Sequence, residues 1–458
     1  MHHSQTRRQF LKTAAAGAGI SIVPARVLWG AEAPSNQLTR ALIGFGCIAH
    51  STSHLKYKGS RLIGLCDPFE YRVRHGLATA EKEGWGKVKA YKNFMELLAD
   101  KDVDIAHICT PPHWHGVQSV MAAKAGKDIW CEKPMTRTVG EGKRVMEVVN
   151  AQKRMFRINT VYRFDFSHPF YGFGTSSKPL RQIVENGLLG KGPIKCVFGA
   201  GQGFSWKFGW SGRINQTPEP VPAGFDYEMW LGPAPWKPYT SHRVGTSFRS
   251  YWDYDSGGLG DMAQHYLDPL QYLLCKDETS PVKIDYVGPK QHPEAVGRFD
   301  RITLTYDDGT EVILDGDESL RSEPLLRGSN GMCVYPFKLP DGSVRTWTTP
   351  EQAKNQTPGI VDASGKHLDA RKILSELPDP APQVTDFAQS VRERKKFALN
   401  ESNGFRSCTM FNLAIVAWRL GRGFEFDPVG LHAKDDPAAE RFLYQTMREP
   451  WETEFYKG

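Results

Sequence analysis

Two groups of residues in this 458-residue chain have types and spacing suited to chemistry. The first is Gly44-Phe45-Gly46-Cys47-Ile48-Ala49, a Gly-x-Gly-x-x-Ala pattern behind the apolar run Ala41-Leu42-Ile43. In such a loop Gly44 permits the tight turn and Gly46 lets the backbone, continuing through Cys47 and Ile48, approach a pyrophosphate. Ala49 lets the next helix pack close to the strand with its N-terminus facing the negative charge. A second apolar run, 61–66, ends in Asp67, about 20 residues past the glycines, where a dinucleotide fingerprint places its acid. A carboxylate there accepts hydrogen bonds from the adenosine ribose and repels a 2′-phosphate, so NAD is expected over NADP. Arg72 and Arg74 nearby pull the other way. The second group lies in the glycine-rich stretch 252–268, which reads as a loop entering a helix. On that helix Asp261 and His265 are four apart and share a face, with Asp268 three further along.

The elements that must position these groups follow from the pattern between them. Apolar runs at 104–109, 128–131 and 154–159 read as strands, and 91–98, 117–125 and 139–151 read as helices. Strands alternating with helices at this spacing make a doubly wound parallel sheet, here over 37–160. Ligands of such sheets bind beyond the carboxyl ends of the strands. Thr110, Pro112 and His115 follow one strand, and Glu132 and Lys133 follow another. The texture changes over 161–458. Strand-like runs at 194–199, 282–287, 301–306 and 311–314 have few helices between them, and Asp307-Asp308-Gly309 is a hairpin signal. The expected fold class is therefore α/β: an N-terminal Rossmann sheet plus a C-terminal α+β domain with a large, mostly antiparallel sheet. Helices are expected at 385–394 and 406–420, and loops at 216–224, 339–366 and 377–382.

Gly-x-Gly-x-x-Ala, then Thr110-Pro111-Pro112-x-x-His115, then Glu132-Lys133-Pro134, then Asp261-x-x-x-His265, resembles the glucose–fructose oxidoreductase/inositol dehydrogenase (Gfo/Idh/MocA) family. Trp230-Leu231-Gly232-Pro233 and Arg448-Glu449-Pro450-Trp451 look like its exported bacterial members, so the likeness covers nearly the whole chain. The resemblance implies that Lys133 reaches both a substrate hydroxyl and the nicotinamide ribose, working with Asp261 and His265. It also implies that Thr110, Pro112 and His115 line the nicotinamide side. Hydride leaves carbon only as the hydroxyl proton is removed, so a base must touch that oxygen. His265, with an ordinary pKa of about 6.5, is the better base. Lys133 would polarise the same oxygen or relay its proton, and Asp261 would hold substrate or orient the imidazole. Tyr162 and Arg163 are candidates to reach the substrate.

Bulk properties narrow the function classes. A net charge of +7, with Arg7, Arg8, Lys12 and Arg26 in the leader, leaves too small an excess for a nucleic-acid partner. Residues 1–33 read as an export signal: Arg7-Arg8 with Phe10-Leu11-Lys12 resembles the twin-arginine type, which implies a periplasmic protein. No run is long enough for a membrane span. The eight cysteines contain no CxxC pair and read as core residues. His113-Trp114-His115 suggests a metal, but later His and Asp residues do not complete a four-ligand set, so none is expected. The aromatics Trp206, Trp210, Tyr227, Trp230, Trp236, Tyr251 and Trp252 could stack on sugar rings, though rings more often pack cores.

The leading expectation is an oxidoreductase acting on the CH–OH group of a sugar, cyclitol or glycoside with NAD tightly held. The alternatives are an NAD-recycling glycoside hydrolase or lyase and a non-catalytic nucleotide-binding sensor. A homo-oligomer through the C-terminal sheet is also expected.

Overall fold

The computed structural model describes residues 37–46, 57, 59–160, 163, 177–199, 212–320, 322–335 and 357–457. Six strands form the first sheet: β1 (Leu38–Ile43), β2 (Ser60–Cys66), β3 (Lys89–Ala90), β4 (Ile105–Ile108), β5 (Asp128–Glu132) and β6 (Phe156–Asn159). They run in the order β3-β2-β1-β4-β5-β6, and every pairing is parallel. Order reverses at β1, so the carboxyl ends of β1 and β4 open a crevice between them. Successive β1 side chains point to opposite faces. Ala41 and Ile43 join the main core, while Leu42 packs with Phe45, Leu62 and Leu65 on the other side.

Helices α1 (Glu70–Lys82), α2 (Phe94–Ala99), α3 (His115–Lys124) and α4 (Val139–Ala151) link the strands. α2 starts three residues later than its apolar pattern suggests, because Asn93 caps it by accepting from the Glu96 N–H. Tyr91 instead continues from β3 and is buried.

Among the described residues the second sheet has ten strands and is mostly antiparallel. Its four longest strands are β7 (Lys195–Gly199), β8 (Lys283–Val287), β9 (Arg301–Thr305) and β10 (Glu311–Asp315). β9 and β10 form the expected hairpin, and β10 pairs parallel with β7. One expectation fails here. Gly359–Val361 is a strand inside a stretch that reads as loop, because three residues flanked by Pro and Gly carry too little periodicity to register.

Four further helices concern the site: α5 (Tyr227–Leu231), α6 (Gly257–Leu273), α7 (Glu401–Leu420) and α8 (Trp451–Tyr456). α7 begins five residues before its expected start. Asn400 and Asn403 form a capping box ahead of the apolar run, so the first turn is polar. Apolar side chains of both domains, from Ile43 and Ile129 to Leu304 and Trp418, belong to one continuous cluster. No described helix is long and apolar enough to cross a membrane, and the described cysteines are all free.

Candidate active site

A cavity of about 750 Å³ opens beyond the carboxyl ends of β1, β2, β4 and β5. Gly44, Gly46 and Asp67 line one part, Thr110 and Pro112 another, and Glu132, Lys133 and Asp261 the far wall. Gly44 has φ 94, and a Cβ there would come within 3.0 Å of the Cys109 carbonyl oxygen, so only glycine fits. At Gly46 a Cβ would meet nothing nearer than an Arg72 nitrogen at 3.8 Å, which leaves the backbone open toward the cavity. Glycine-lined backbone beside a carboxylate fits a dinucleotide. Cys47, Ile48 and Ala49 lie outside the described residues, as does Tyr162.

Asp67 accepts from the Phe45 N–H at 2.7 Å and the Phe69 N–H at 2.9 Å, and Arg72 stands 3.7 Å away. Burial raises its carboxyl above the ordinary value, against the pull of Arg72 and of the two N–H groups.

At the other end Lys133 Nζ donates to Asp261 twice, to the carbonyl oxygen at 2.6 Å and to Oδ1 at 2.8 Å. Asp261 Oδ2 is paired with Arg249 Nε at 2.9 Å. Burial alone would push the Asp261 carboxyl up, but Lys133 and Arg249 outweigh it and hold it well below the carboxylate range. Arg249 carries no motif, so the sequence pattern missed it. The available signal was that a buried acid facing Lys133 has room for a second cation.

Gln264 was missed too. Its Oε1 accepts from the Met135 N–H at 2.7 Å, and its Nε2 donates to Gly404 O and Ser407 Oγ. It thereby ties the loop carrying Lys133 to both α6 and α7.

His265 is one turn along α6 from Asp261 and outside the cavity lining. Its Nδ1 is 3.0 Å from Thr160 Oγ1, just past β6. Pro269 removes the helical donor that would otherwise reach the His265 carbonyl.

Two expected contacts, those of His115 and Arg163, take other partners, while Thr110 stays on the cavity lining. His115 lies behind the cavity wall, its nitrogens 2.5 Å from Pro134 O and 2.8 Å from Thr110 O, so it spaces the two loops that line the cavity. Thr110 turns its hydroxyl to Gln118 Oε1. Arg163 does not reach the cleft. It is wholly buried and paired with Asp268 at 2.7 Å and Asp277 at 2.8 Å, because a buried guanidinium must spend its donors on carboxylates.

Glu132 faces the cavity but is also held from beneath. His107 Nε2 is 3.0 Å from its Oε1, and Asn159 donates to both oxygens. Burial pushes Glu132 up to about 7, with Asn159 and Lys133 opposing. Arg40 sits 2.7 Å from His107 Nδ1. Arginine can only donate, so Nδ1 must accept and Nε2 carries the proton that Glu132 receives. His107, Cys109 and Glu132 lie as close together as the ligands of a metal ion would. The His107 proton, however, occupies the nitrogen a cation would need. His113, in turn, bonds Trp230 O at 2.9 Å, so the His-Trp-His segment is committed to packing.

A strap over the cavity connects two sequence motifs. Glu70 N–H donates to Gly224 O and Asp226 N–H to Pro68 O, both at 2.9 Å, and Phe69 stacks on Phe225 at 3.8 Å. The strap continues into α5, where the Trp114 indole donates to the Trp230 carbonyl at 3.1 Å. Gly232 follows with φ 50, and a Cβ there would stand 2.1 Å from the Trp114 ring. Arg448 then bonds Gly232 O at 3.0 Å and Glu228 at 3.0 Å, while Trp451 of α8 packs edge-on against Trp114. Tyr227, Tyr251 and Trp252 are buried in packing, Trp230 is buried on the cavity lining, and Trp236 is exposed. Trp206 and Trp210 lie outside the described residues.

A six-stranded parallel sheet with a nucleotide-shaped crevice, a buried Lys–Asp pair at its end and a second sheet alongside define a two-domain, Rossmann-type oxidoreductase. Residues 38–160 match the model of an oxidoreductase family's NAD-binding Rossmann fold, and 173–364 and 360–453 match that family's C-terminal alpha/beta domain. The chain belongs to the Gfo/Idh/MocA oxidoreductase family.

It is 27% identical over 160 residues to D-glucoside 3-dehydrogenase of Escherichia coli K12, covering 34% of this chain and 42% of that one. It is 30% identical over 152 residues to myo-inositol 2-dehydrogenase of Thermotoga maritima, covering 33% and 41%. The matched stretch thus spans less than half the length of these relatives. Among solved structures, the WlbA dehydrogenase of Chromobacterium violaceum, in complex with NADH and UDP-GlcNAcA, superposes with a TM-score of 0.52 at 15% identity, covering 85% of this chain and 96% of that one. That likeness concerns the fold.

Proposed function

We propose that this protein is an NAD-dependent oxidoreductase that oxidises a CH–OH group of a sugar, cyclitol or glycoside and retains its cofactor between turnovers. One observation carries the reading: Lys133 and Asp261 meet at the end of a cavity whose other end holds Gly44, Gly46 and Asp67. A nicotinamide ring, when bound, supplies the hydride acceptor.

The chain's own residues do the rest. Lys133 spends two donor directions on Asp261 and keeps a third for a substrate hydroxyl. Asp261, pinned by Arg249, fixes that geometry. Lys133 then polarises the hydroxyl and relays its proton. His265 supports the same helix face from Thr160. Asp67 favours NAD over NADP through its charge. The names of the relatives, a glucoside and an inositol dehydrogenase, support a polyhydroxylated substrate.

Retention of the cofactor is supported by the strap, which is bonded to both the Asp67 loop and the Trp114 turn. It suits the twin-arginine-like leader, because a protein exported already folded can carry its nucleotide with it. The test is to assay the purified protein against sugars and cyclitols, singly and in donor–acceptor pairs. Turnover of pairs without added NAD supports the reading. Release of a leaving sugar with no net redox change replaces it with cofactor-recycling glycoside cleavage.

A further inference from the structure

Asp255 is a buried acid that the proposed reaction leaves unused. It is 1% exposed, two residues before α6, and among the described residues neither carboxyl oxygen has a hydrogen-bond partner. Its Oδ1 sits over Gly260, where an added Cβ would come within 2.2 Å, and Gly260 adjoins Asp261. The carboxyl is therefore packed into the first turn of α6, beside the Lys133–Asp261 pair.

The charged groups facing it are Asp261, Arg249, Lys133 and Arg137. All three cations have other acceptors. Lys133 and Arg249 are bonded to Asp261, and Arg137 bonds the carbonyls of Asp253 and Trp252. A buried carboxylate without donors is too costly to stay ionised, so Asp255 holds its proton. Burial, then the Asp261 charge, push its carboxyl well above the ordinary range, against Arg249, Lys133 and Arg137.

We propose that Asp255 is the proton store of this site: a neutral acid when no nucleotide is bound, it gives up its proton when oxidised nicotinamide binds and regains one as substrate is oxidised. The inference rests on the function proposed above. With Asp255 neutral, Lys133, Arg249 and Asp261 leave a net positive charge beside the cavity. A cationic ring adds another in a poorly screened interior, and loss of the Asp255 proton offsets it. During oxidation the C–H bond breaks with its electron pair going to the ring, and the O–H bond breaks with its proton taken by Lys133 as Lys133 gives up one of its own toward the ionised Asp255. The carbonyl forms, the ring becomes neutral, and the cluster's added proton rests on Asp255. Hydride and proton are then both kept until a second substrate takes them back. Asp255 acts through Lys133 and Asp261, so it is a positioning residue.

Two readouts test this without turnover. Infrared difference spectra at neutral pH, wild type minus Asp255→Asn, should show the carbonyl stretch of a protonated carboxyl. Titrating NAD⁺ into weakly buffered protein stripped of nucleotide should release about one proton per site, and the Asn variant should release close to none. Asp255→Ser, smaller and also neutral, should behave like Asn and covers the case in which Asn does not fold. Absence of the infrared band, or equal proton release from wild type and variants, overturns the inference while leaving the function intact. Failure to bind NAD⁺ at all overturns the function proposed above, and the proton store with it.

Discussion

Lys133 Nζ lies 2.6 Å from the carbonyl oxygen and 2.8 Å from Oδ1 of Asp261, joining the end of a parallel strand to the first turns of a helix 128 residues away. Both side chains are nearly closed to solvent, at 5% and 9% exposure. The pair sets where a substrate hydroxyl can sit, and removing either member should have a distinct effect.

Lys133→Met removes the group that polarises the hydroxyl and relays its proton. Turnover should fall by about 10²–10⁴-fold, while the nucleotide stays bound. Steady-state kinetics together with nucleotide content on the same preparation check both halves.

Asp261→Asn leaves two buried cations facing a neutral amide. Breaking a buried pair on one side costs about 3–5 kcal/mol, so the midpoint of denaturant unfolding should drop accordingly. The wild-type contribution has a defined pH window. The folded carboxyl is depressed, so its stabilisation is complete above the unfolded value of about 3.9 and is lost as pH falls toward the folded value. The gap between wild type and variant should therefore narrow in acid.

His113 and His115 give a second, separate acid sensitivity. Burial drags His113 to about 3 and His115 to about 4, against the pull of the carbonyl oxygens they bond. Below about 6.5 the unfolded chain takes up protons that the folded one refuses, so stability falls with pH from there downward. His113→Gln can still donate to the Trp230 carbonyl and should flatten that slope between about pH 6.5 and 4 in thermal melts at stepped pH.

The strap should govern how long the nucleotide stays. Arg448→Ala removes the bonds to Gly232 and Glu228, and the dissociation rate of NAD should rise about tenfold, a loss of about 1.4 kcal/mol. Stopped-flow release into a scavenging dehydrogenase measures it. An unchanged rate would mean that the strap is packing alone.

Much of this was legible in the chain. The parallel sheet showed because five of its six strands are short apolar runs bounded by turn residues, whereas β3 is two exposed residues with no such trace, and the helix carrying Asp261 and His265 showed because glycines precede an amphipathic run. Arg163 misled because it follows a strand end, where ligands gather, and only the fold reveals Asp268 and Asp277 around it. Gln264 and Arg249 belong to no local pattern. Gln264 acts across 129 residues, and Arg249 reaches Asp261 from a separate short helical turn ahead of α6. Trp230–Pro233 and Arg448–Trp451 were visible as separate motifs. That Arg448 locks onto Gly232 is a tertiary fact, with no periodic or compositional trace in either segment.

The central claim is that the crevice holds a nicotinamide dinucleotide. The most direct measurement is to denature the purified protein and quantify the released nucleotide by mass spectrometry and absorbance, for wild type and Lys133→Met together. Near-stoichiometric NAD or NADH in both is the expected result. Protein that carries no nucleotide and binds none when NAD is added would contradict the account.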